Sequence, residues 1–269
     1  MLQIDKSKGI LYVATGKIYI EEAIRAALSC KRFNNYPIAL VTDSNEYLLP
    51  NGLFDQVIIK GANYSYRDKL LIRYSPFEHT IFMDTDTYVC DNLDDLFRIL
   101  DFREFAIHQA DEGYEFQMPE VSNAMPEFNT GVIAYKLTPN VEKLIDAWET
   151  SFETNSNIIT DQYHLRKTLY ESEVKFAIFS SAYNFIVSYP NFVIQKVKIL
   201  HGRPFTDLIT IANDINNIRH RDAWRRMYYP YNKTHFTLYQ NPKNEDLFKF
   251  LRFTIRTILG NLKRYLNLQ

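Results

Sequence analysis

The chain has 269 residues, 46% of them hydrophobic, enough for one large α/β domain with an appendage and for a substantial core. Its two cysteines, Cys30 and Cys90, supply neither a disulfide framework nor zinc-ligand spacing, so a reducing compartment is expected. The net charge of −1 conceals a split: residues 219–269 hold 11 Lys+Arg against 3 Asp+Glu, and the other 218 hold 20 against 29. An acidic body argues against nucleic acid as the main partner.

Residues 1–8 lack the apolar centre of a signal peptide, and no run is long and apolar enough to span a bilayer, which predicts a cytoplasmic protein. Residues 9–14 read as a first buried strand. The turn Thr15-Gly16-Lys17 then leads into a helix with Ile20, Ala23, Ile24, Ala27 and Leu28 on its apolar face. Strands are expected at 37–41 and 54–59, a helix at 67–74 closed by Pro76, and a strand at 80–83. Asn92 is positioned to cap a short helix with Leu93, Leu96 and Phe97 inward. Strands at 104–109 and 132–135 flank a polar loop over 111–127. A helix follows, with Val141, Leu144, Ile145, Trp148 and Phe152 on one face. A second helix spans 160–169, with Thr160 as N-cap, a late strand spans 192–200, and the chain from about 204 is expected to be helical and basic. This alternation predicts an α/β fold with a mostly parallel central sheet and helices on both faces. It divides into a domain at 1–218 and a basic, aromatic-rich helical extension at 219–269.

Asp84-Thr85-Asp86 follows the apolar run Thr80-Ile81-Phe82-Met83. A continuous apolar run suits a central strand covered on both faces, and ligands of open α/β sheets sit at the carboxyl ends of such strands. Two carboxylates one residue apart at that point suit a hard divalent cation bridging to a diphosphate. No Gly-rich phosphate loop, dinucleotide fingerprint, His-Glu-x-x-His or Gly-x-Ser-x-Gly motif competes with this reading.

Five segments share an order: 14–19 (Ala-Thr-Gly-Lys-Ile-Tyr), 67–86 (Arg67-Asp68-Lys69 to Asp84-Thr85-Asp86), 128–132 (Phe-Asn-Thr-Gly-Val), 160–162 (Thr-Asp-Gln) and 199–202 (Ile-Leu-His-Gly). On these segments the sequence resembles the nucleotide-diphospho-sugar glycosyltransferases of GT-A, Rossmann-like fold. It is closest to the retaining type that includes glycogenin and bacterial lipopolysaccharide galactosyltransferases. The resemblance covers about residues 9–203. It implies sugar transfer from a nucleotide donor, usually UDP-linked, to a glycan or lipid-linked acceptor, with Mn²⁺ or Mg²⁺.

By the same resemblance, Asp84, Asp86 and His201 are the metal ligands, and Thr15 and Tyr19 hold the base, the tyrosine by stacking. Lys69 reaches the donor phosphates or sugar. Asn129 binds the donor sugar, with Gly131 admitting close backbone approach. Asp161 binds a sugar hydroxyl and Gln162 lies near the anomeric carbon. Thr85 and Gly202 complete the donor set. The ending departs from the family's His-x-x-Gly-x-x-Lys-Pro-Trp: here His201 is followed by Gly202-Arg203-Pro204, and Arg203 is the candidate phosphate cation. Mixed imidazole and carboxylate ligation favours Mn²⁺ over Mg²⁺.

Bland readings stand beside each role. His201 could point to solvent, Tyr19 could pack at a helix start, Lys69 could be solvated, and Asp161 could answer the helix dipole. In an inverting enzyme Asp161 would be the general base. A nucleotidyltransferase could use the same acidic pair, but it would want a Gly-rich basic loop where only Gly16-Lys17 stands. A catalytically silent membrane-associated scaffold would bind no donor. In the extension, Trp224, Tyr228, Tyr229 and Tyr231 interleave with arginines. Phe248, Leu251, Ile255, Ile258, Leu262 and Leu266 recur at helical spacing beside Lys249, Arg252, Arg256 and Lys263. Cations flanking an apolar helical face suit either an anionic membrane surface or packing on the acidic body.

Overall fold

The computed structural model describes residues 7–110, 118–155, 157–193, 195–203, 207–216, 226–231 and 234–238, together with 251, 252, 254, 255 and 259. The first half runs β1 (Lys8–Ala14), α1 (Lys17–Lys31), β2 (Ile38–Thr42), β3 (Gln56–Ile59), a 3-10 helix (Tyr66–Tyr74), β4 (His79–Met83), β5 (Thr87–Val89), α2 (Asp94–Leu100) and β6 (Phe105–Gln109). The second half runs β7 (Phe128–Lys136), α3 (Pro139–Thr154), α4 (Asp161–Glu171), β8 (Phe176–Ile178), a 3-10 turn (Ser181–Tyr183), β9 (Phe185–Ile186), β10 (Asn191–Val193), β11 (Ile199–His201), α5 (Leu208–Ile215), β12 (Arg226–Tyr231) and β13 (Thr234–Leu238).

A seven-stranded sheet has the order β3-β2-β1-β4-β7-β6-β8. β7 alone runs against the others, antiparallel to both β4 and β6. The central strands are apolar throughout because both faces are covered. Ile10, Tyr12, Ile81 and Met83 pack with Ala23 and Ala27 of α1 and Leu96 and Phe97 of α2. The alternate residues Leu11 and Phe82 join Val141, Leu144 and Trp148 of α3 and Leu165 of α4 on the other side. Burial of this kind stabilises by about 25 cal/mol per Å² of apolar surface. α3 starts where expected of its sequence, with the Thr138 hydroxyl accepting from the Val141 N–H and Pro139 in the first turn.

Several expectations are corrected. The buried face of α1 is Ile20, Ala23, Ala26, Ala27 and Cys30, and Leu28 is exposed. The helix expected at 67–74 is present, as a 3-10 helix over 66–74. Asn92 lies one position before the observed cap Leu93, although its side chain does accept from the Asp94 N–H. The single late strand is two, β10 and β11, in different sheets. Between them Lys196 and Lys198 both pair with Asp91, at 2.6 and 3.0 Å, while Val197 is buried. Strands β12 and β13 stand where a helix was expected, since an aromatic Tyr228-Tyr229-Pro230-Tyr231 run favours extended backbone and Pro230 disfavours a helix interior. β12 pairs with β10, so a small sheet bridges the expected boundary between 218 and 219. Tyr228 is fully buried there and donates to the Val187 carbonyl at 2.9 Å. Most of the amphipathic stripe at 248–266 lies outside the described residues. Among the described residues no helix is long and apolar enough to cross a membrane.

Candidate active site

The acidic pair sits where β4 leaves the sheet. The Asp84 N–H donates to the Gly131 carbonyl at 2.8 Å, which ties this exit to β7, and the Thr87 hydroxyl closes the turn on the Asp84 carbonyl at 2.7 Å. The chain then reverses into β5, and β11 pairs antiparallel with it, setting His201 opposite Thr87. Gly202, at φ 117 in a backbone region that favours glycine, donates its N–H to the Asp86 carbonyl at 3.0 Å. Two chain segments far apart in sequence thereby bring Asp84, Asp86 and His201 together, with their ligand atoms all within 4.8 Å of one another.

The orientation of His201 follows from a chain of hydrogen bonds. The Gly131 N–H can only donate, and it meets Asn129 Oδ1 at 3.0 Å, so that atom is an acceptor. Asn184 faces the same oxygen at 2.9 Å and must present its NH₂. Its own Oδ1 is then turned to His201 Nδ1 at 2.9 Å, and this ring nitrogen carries the proton. In the neutral ring Nε2 is a bare lone pair, 3.4 Å from Asp86 Oδ1 and 3.7 Å from Asp84 Oδ2. Three acceptors facing one another at this range repel unless a cation, a proton or a metal, lies among them. Asn184 is the type of outer partner that fixes a metal-binding imidazole.

Two cations flank this group. Lys69 Nζ lies 3.0 Å from Asp84 Oδ2, 2.9 Å from Asp161 Oδ2 and 2.9 Å from Thr130 Oγ1. Arg203 reaches Asp86 Oδ2 at 3.0 Å and grips Glu22 through Nε and Nη2 at 2.8 and 2.7 Å. Four carboxylates (Glu22, Asp84, Asp86, Asp161) thus face two permanent cations, and Asp68 lines the same cleft, so carboxylates outnumber the fixed cations here.

The titration behaviour follows these contacts. Burial pushes the Asp84 carboxyl above the usual carboxylate range, against the pull of Lys69 and His201. Burial also works to raise Asp86, but His201 and Arg203 outweigh it and bring that carboxyl down to about 2. Burial disfavours the Lys69 and His201 charges. Asp161 and Asp84 nevertheless hold the ammonium above its ordinary value, and Asp86 and Asp84 do the same for the imidazolium.

These groups line one cleft of about 450 Å³, which also takes in Thr15, Tyr19, Thr85, Asn129, Gly131 and Gln162. Of the residues singled out from the sequence, Gly202 alone is not in the lining. Asp161 opens α4, and the Trp148 indole donates to its carbonyl at 3.1 Å. Thr85 donates to Glu22 at 2.9 Å, so its hydroxyl proton is turned away from a ligand. Thr15 donates to Asp68 at 2.7 Å, and Asp68 also receives the N–H groups of Asn63 and Tyr64, which holds the loop before the 3-10 helix against β1. Tyr64 and Tyr66 rim the same cleft, exposed beside Tyr19. Neither Glu22 nor Asn184 was singled out from the sequence.

Comparison with solved structures matches this architecture to glycosyltransferases. The galactosyltransferase LgtC, solved with donor and acceptor sugar analogs, aligns over 72% of this chain and 86% of its own, with a TM-score of 0.56 and 14% identity. GlyE of Streptococcus pneumoniae TIGR4 aligns over 68% of this chain at a TM-score of 0.53 and 18% identity; the match spans 48% of GlyE, about half its length. The bifunctional glycosyltransferase WbbM aligns over 69% of this chain and 40% of its own, with a TM-score of 0.50 and 15% identity. No protein-family model matches the sequence, and no curated protein does. The chain therefore has the GT-A, Rossmann-like fold of glycosyltransferases, as the sequence motifs led us to expect.

Proposed function

We propose that this chain is a metal-dependent glycosyltransferase that moves a sugar from a UDP-linked donor to a glycan or lipid-linked acceptor. One observation carries the reading: Nε2 of His201 aimed at Asp84 and Asp86, with Lys69 and Arg203 alongside, in the cleft of a GT-A fold. Asp84, Asp86 and His201 would hold Mn²⁺, or Mg²⁺, and the mixed nitrogen and oxygen donors favour Mn²⁺. When bound, such an ion supplies Lewis acidity toward the departing diphosphate.

The chain's own groups account for the rest. Lys69 and Arg203 take up diphosphate charge. The Thr15 hydroxyl has committed its proton to Asp68, so its oxygen can only accept, which suits the imide N–H of uracil. The Tyr19 ring is exposed for stacking on the base. Asn129 Oδ1 already receives Gly131 and Asn184, leaving its NH₂ to donate to a sugar hydroxyl. Asp161 Oδ2 is engaged by Lys69 and by the Thr130 hydroxyl, an arrangement that suits holding a sugar hydroxyl through Oδ1 better than accepting a proton. The Gln162 side chain has no hydrogen-bond partner among the described residues and lines the cleft, where it would lie beside the anomeric carbon. Retention of configuration belongs to this reading through the type resembled, and NMR of the product anomer tests it: an inverted product would refute it.

A thermal-shift panel of nucleotide sugars with and without Mn²⁺ tests the whole reading, because a ligand that binds only the folded chain raises its melting temperature by mass action. A UDP-sugar shift that requires Mn²⁺ is expected; no shift with any nucleotide sugar would end the proposal. Asn184→Leu, which leaves His201 Nδ1 without its acceptor, is expected to weaken Mn²⁺ binding roughly 10- to 100-fold by titration calorimetry. A lipid-linked acceptor met at the cytoplasmic membrane face is motivated by the basic balance of 219–269. Equal partitioning of the chain onto anionic and neutral vesicles would remove that part.

A further inference from the structure

Arg203 lies two residues past His201, at the exit of β11, and its side chain is 55% exposed. A long side chain left free there would lose rotamer entropy on meeting a ligand. It is not free. Both oxygens of the Glu22 carboxylate take its Nε–H and an Nη2–H at 2.8 and 2.7 Å, a fork-on-fork pair that fixes the guanidinium plane. Nη1 rests 3.0 Å from Asp86 Oδ2. Glu22 is itself enclosed, at 9% exposure, and Thr85 donates to it at 2.9 Å from between the two metal-site acids. The Tyr19 ring centre is 5.7 Å from the guanidinium carbon, on the base side of the cleft.

We propose that Glu22 is the positioning residue for Arg203, holding its guanidinium between the base platform and the acidic pair so that it meets the donor's diphosphate already oriented. The inference rests on the nucleotide-sugar reading above. The donor inventory permits it. Of five guanidinium N–H groups, the Glu22 and Asp86 contacts use three, leaving one on each terminal nitrogen for phosphate oxygens. The neighbouring Glu21 is exposed and has no such role.

Calorimetric UDP affinity in the presence of Mn²⁺, read with the ¹⁵N NMR signal of the Arg203 Nε–H, tests the proposal. Arg203→Ala and Glu22→Gln are each expected to weaken UDP about tenfold or more, as for a lost charge-assisted contact. Glu22→Gln should also bring the Nε–H into fast exchange with water. The double variant Glu22→Ala/Arg203→Ala should bind UDP no more weakly than Arg203→Ala alone. Should Glu22→Ala not fold, Glu22→Gln, which keeps an acceptor for Thr85, carries the test. UDP binding in Glu22→Gln as tight as in the wild type, or tighter, would mean that Glu22 restrains Arg203 instead of aiming it, and would overturn the proposal. Wild-type chain that binds no nucleoside diphosphate would instead remove the parent reading, and this one with it.

Discussion

Asp84→Asn and Asp86→Asn are both expected to abolish Mn²⁺-dependent sugar transfer, on the order of 10³-fold or more, while moving the stability of the metal-free fold in opposite directions. The rate effect follows from the proposed ligation: losing a charged ligand forfeits several kcal/mol of charge stabilisation on the leaving diphosphate. The stability effect follows from the surroundings of each acid. Burial raises the Asp84 carboxyl above its unfolded value, so ionising it at neutral pH works against the folded state without metal. An uncharged asparagine relieves that cost, and Lys69 keeps its pairing with Asp161 at 2.9 Å. Metal-free Asp84→Asn should therefore melt no lower than the wild type, and Mn²⁺ should no longer raise its melting temperature.

Asp86 is the converse. His201 and Arg203 draw its carboxyl down from 3.8 to about 2 despite burial, so its ionised form favours the fold above the unfolded value. That contribution, on the order of 2 kcal/mol, is lost as pH falls through the folded value. Metal-free Asp86→Asn should be the less stable variant at neutral pH, and its deficit should shrink between about pH 4 and pH 2. Denaturation of both variants across that range, beside turnover assays, checks the pair. Equal destabilisation by the two substitutions would contradict the charge arrangement, and wild-type turnover in either would contradict the ligand assignment.

This division of labour between neighbouring acids was only half legible in the sequence. Asp84 and Asp86 announced themselves because a continuous apolar run stops at them, whereas the role of His201 was legible only through the family resemblance. Long buried strands write their position into hydrophobicity, which is why the sheet and the cleft at its carboxyl edge could be anticipated. Glu22 could not be told from Glu21. Both lie in the first turns of α1, and only the fold, by bringing the exit of β11 over that helix, encloses one and exposes the other. Asn184 stands just before β9, a strand of two residues, too short for any periodic signal. β12 and β13 were misread for a related reason. Their aromatics were visible, but β12 pairs with β10, more than thirty residues earlier in the chain, and β13 joins that sheet only through β12. Local pattern reports what a segment buries, and long-range pairing decides what it pairs with.

Gly131→Ala isolates the imidazole's contribution, because here a single methyl group acts on one neighbour. A Cβ on Gly131 would fall within the His201 ring, 2.6 Å from Nε2. The backbone cannot withdraw, since Val132 pairs with Met83 of β4 and the Gly131 carbonyl accepts the Asp84 N–H at 2.8 Å. The ring is held by Asn184 at Nδ1, itself 2.5 Å from the added Cβ, and must leave that bond to make room. Gly131 is not among the positive-φ glycines, so alanine is compatible with its backbone and the disturbance is steric. The expected cost to stability is that of overpacking, about 1–3 kcal/mol. The expected cost to Mn²⁺ affinity is larger, roughly 100-fold, because Nε2 no longer faces the two carboxylates. A double-mutant cycle with His201→Ala locates the effect. If Gly131 matters through the imidazole, then Gly131→Ala should change Mn²⁺ binding little once the ring is gone. Additive losses would place the alanine's effect on Asn129 and the sugar side of the cleft, and would leave the proposed seat of His201 among the metal ligands without this support.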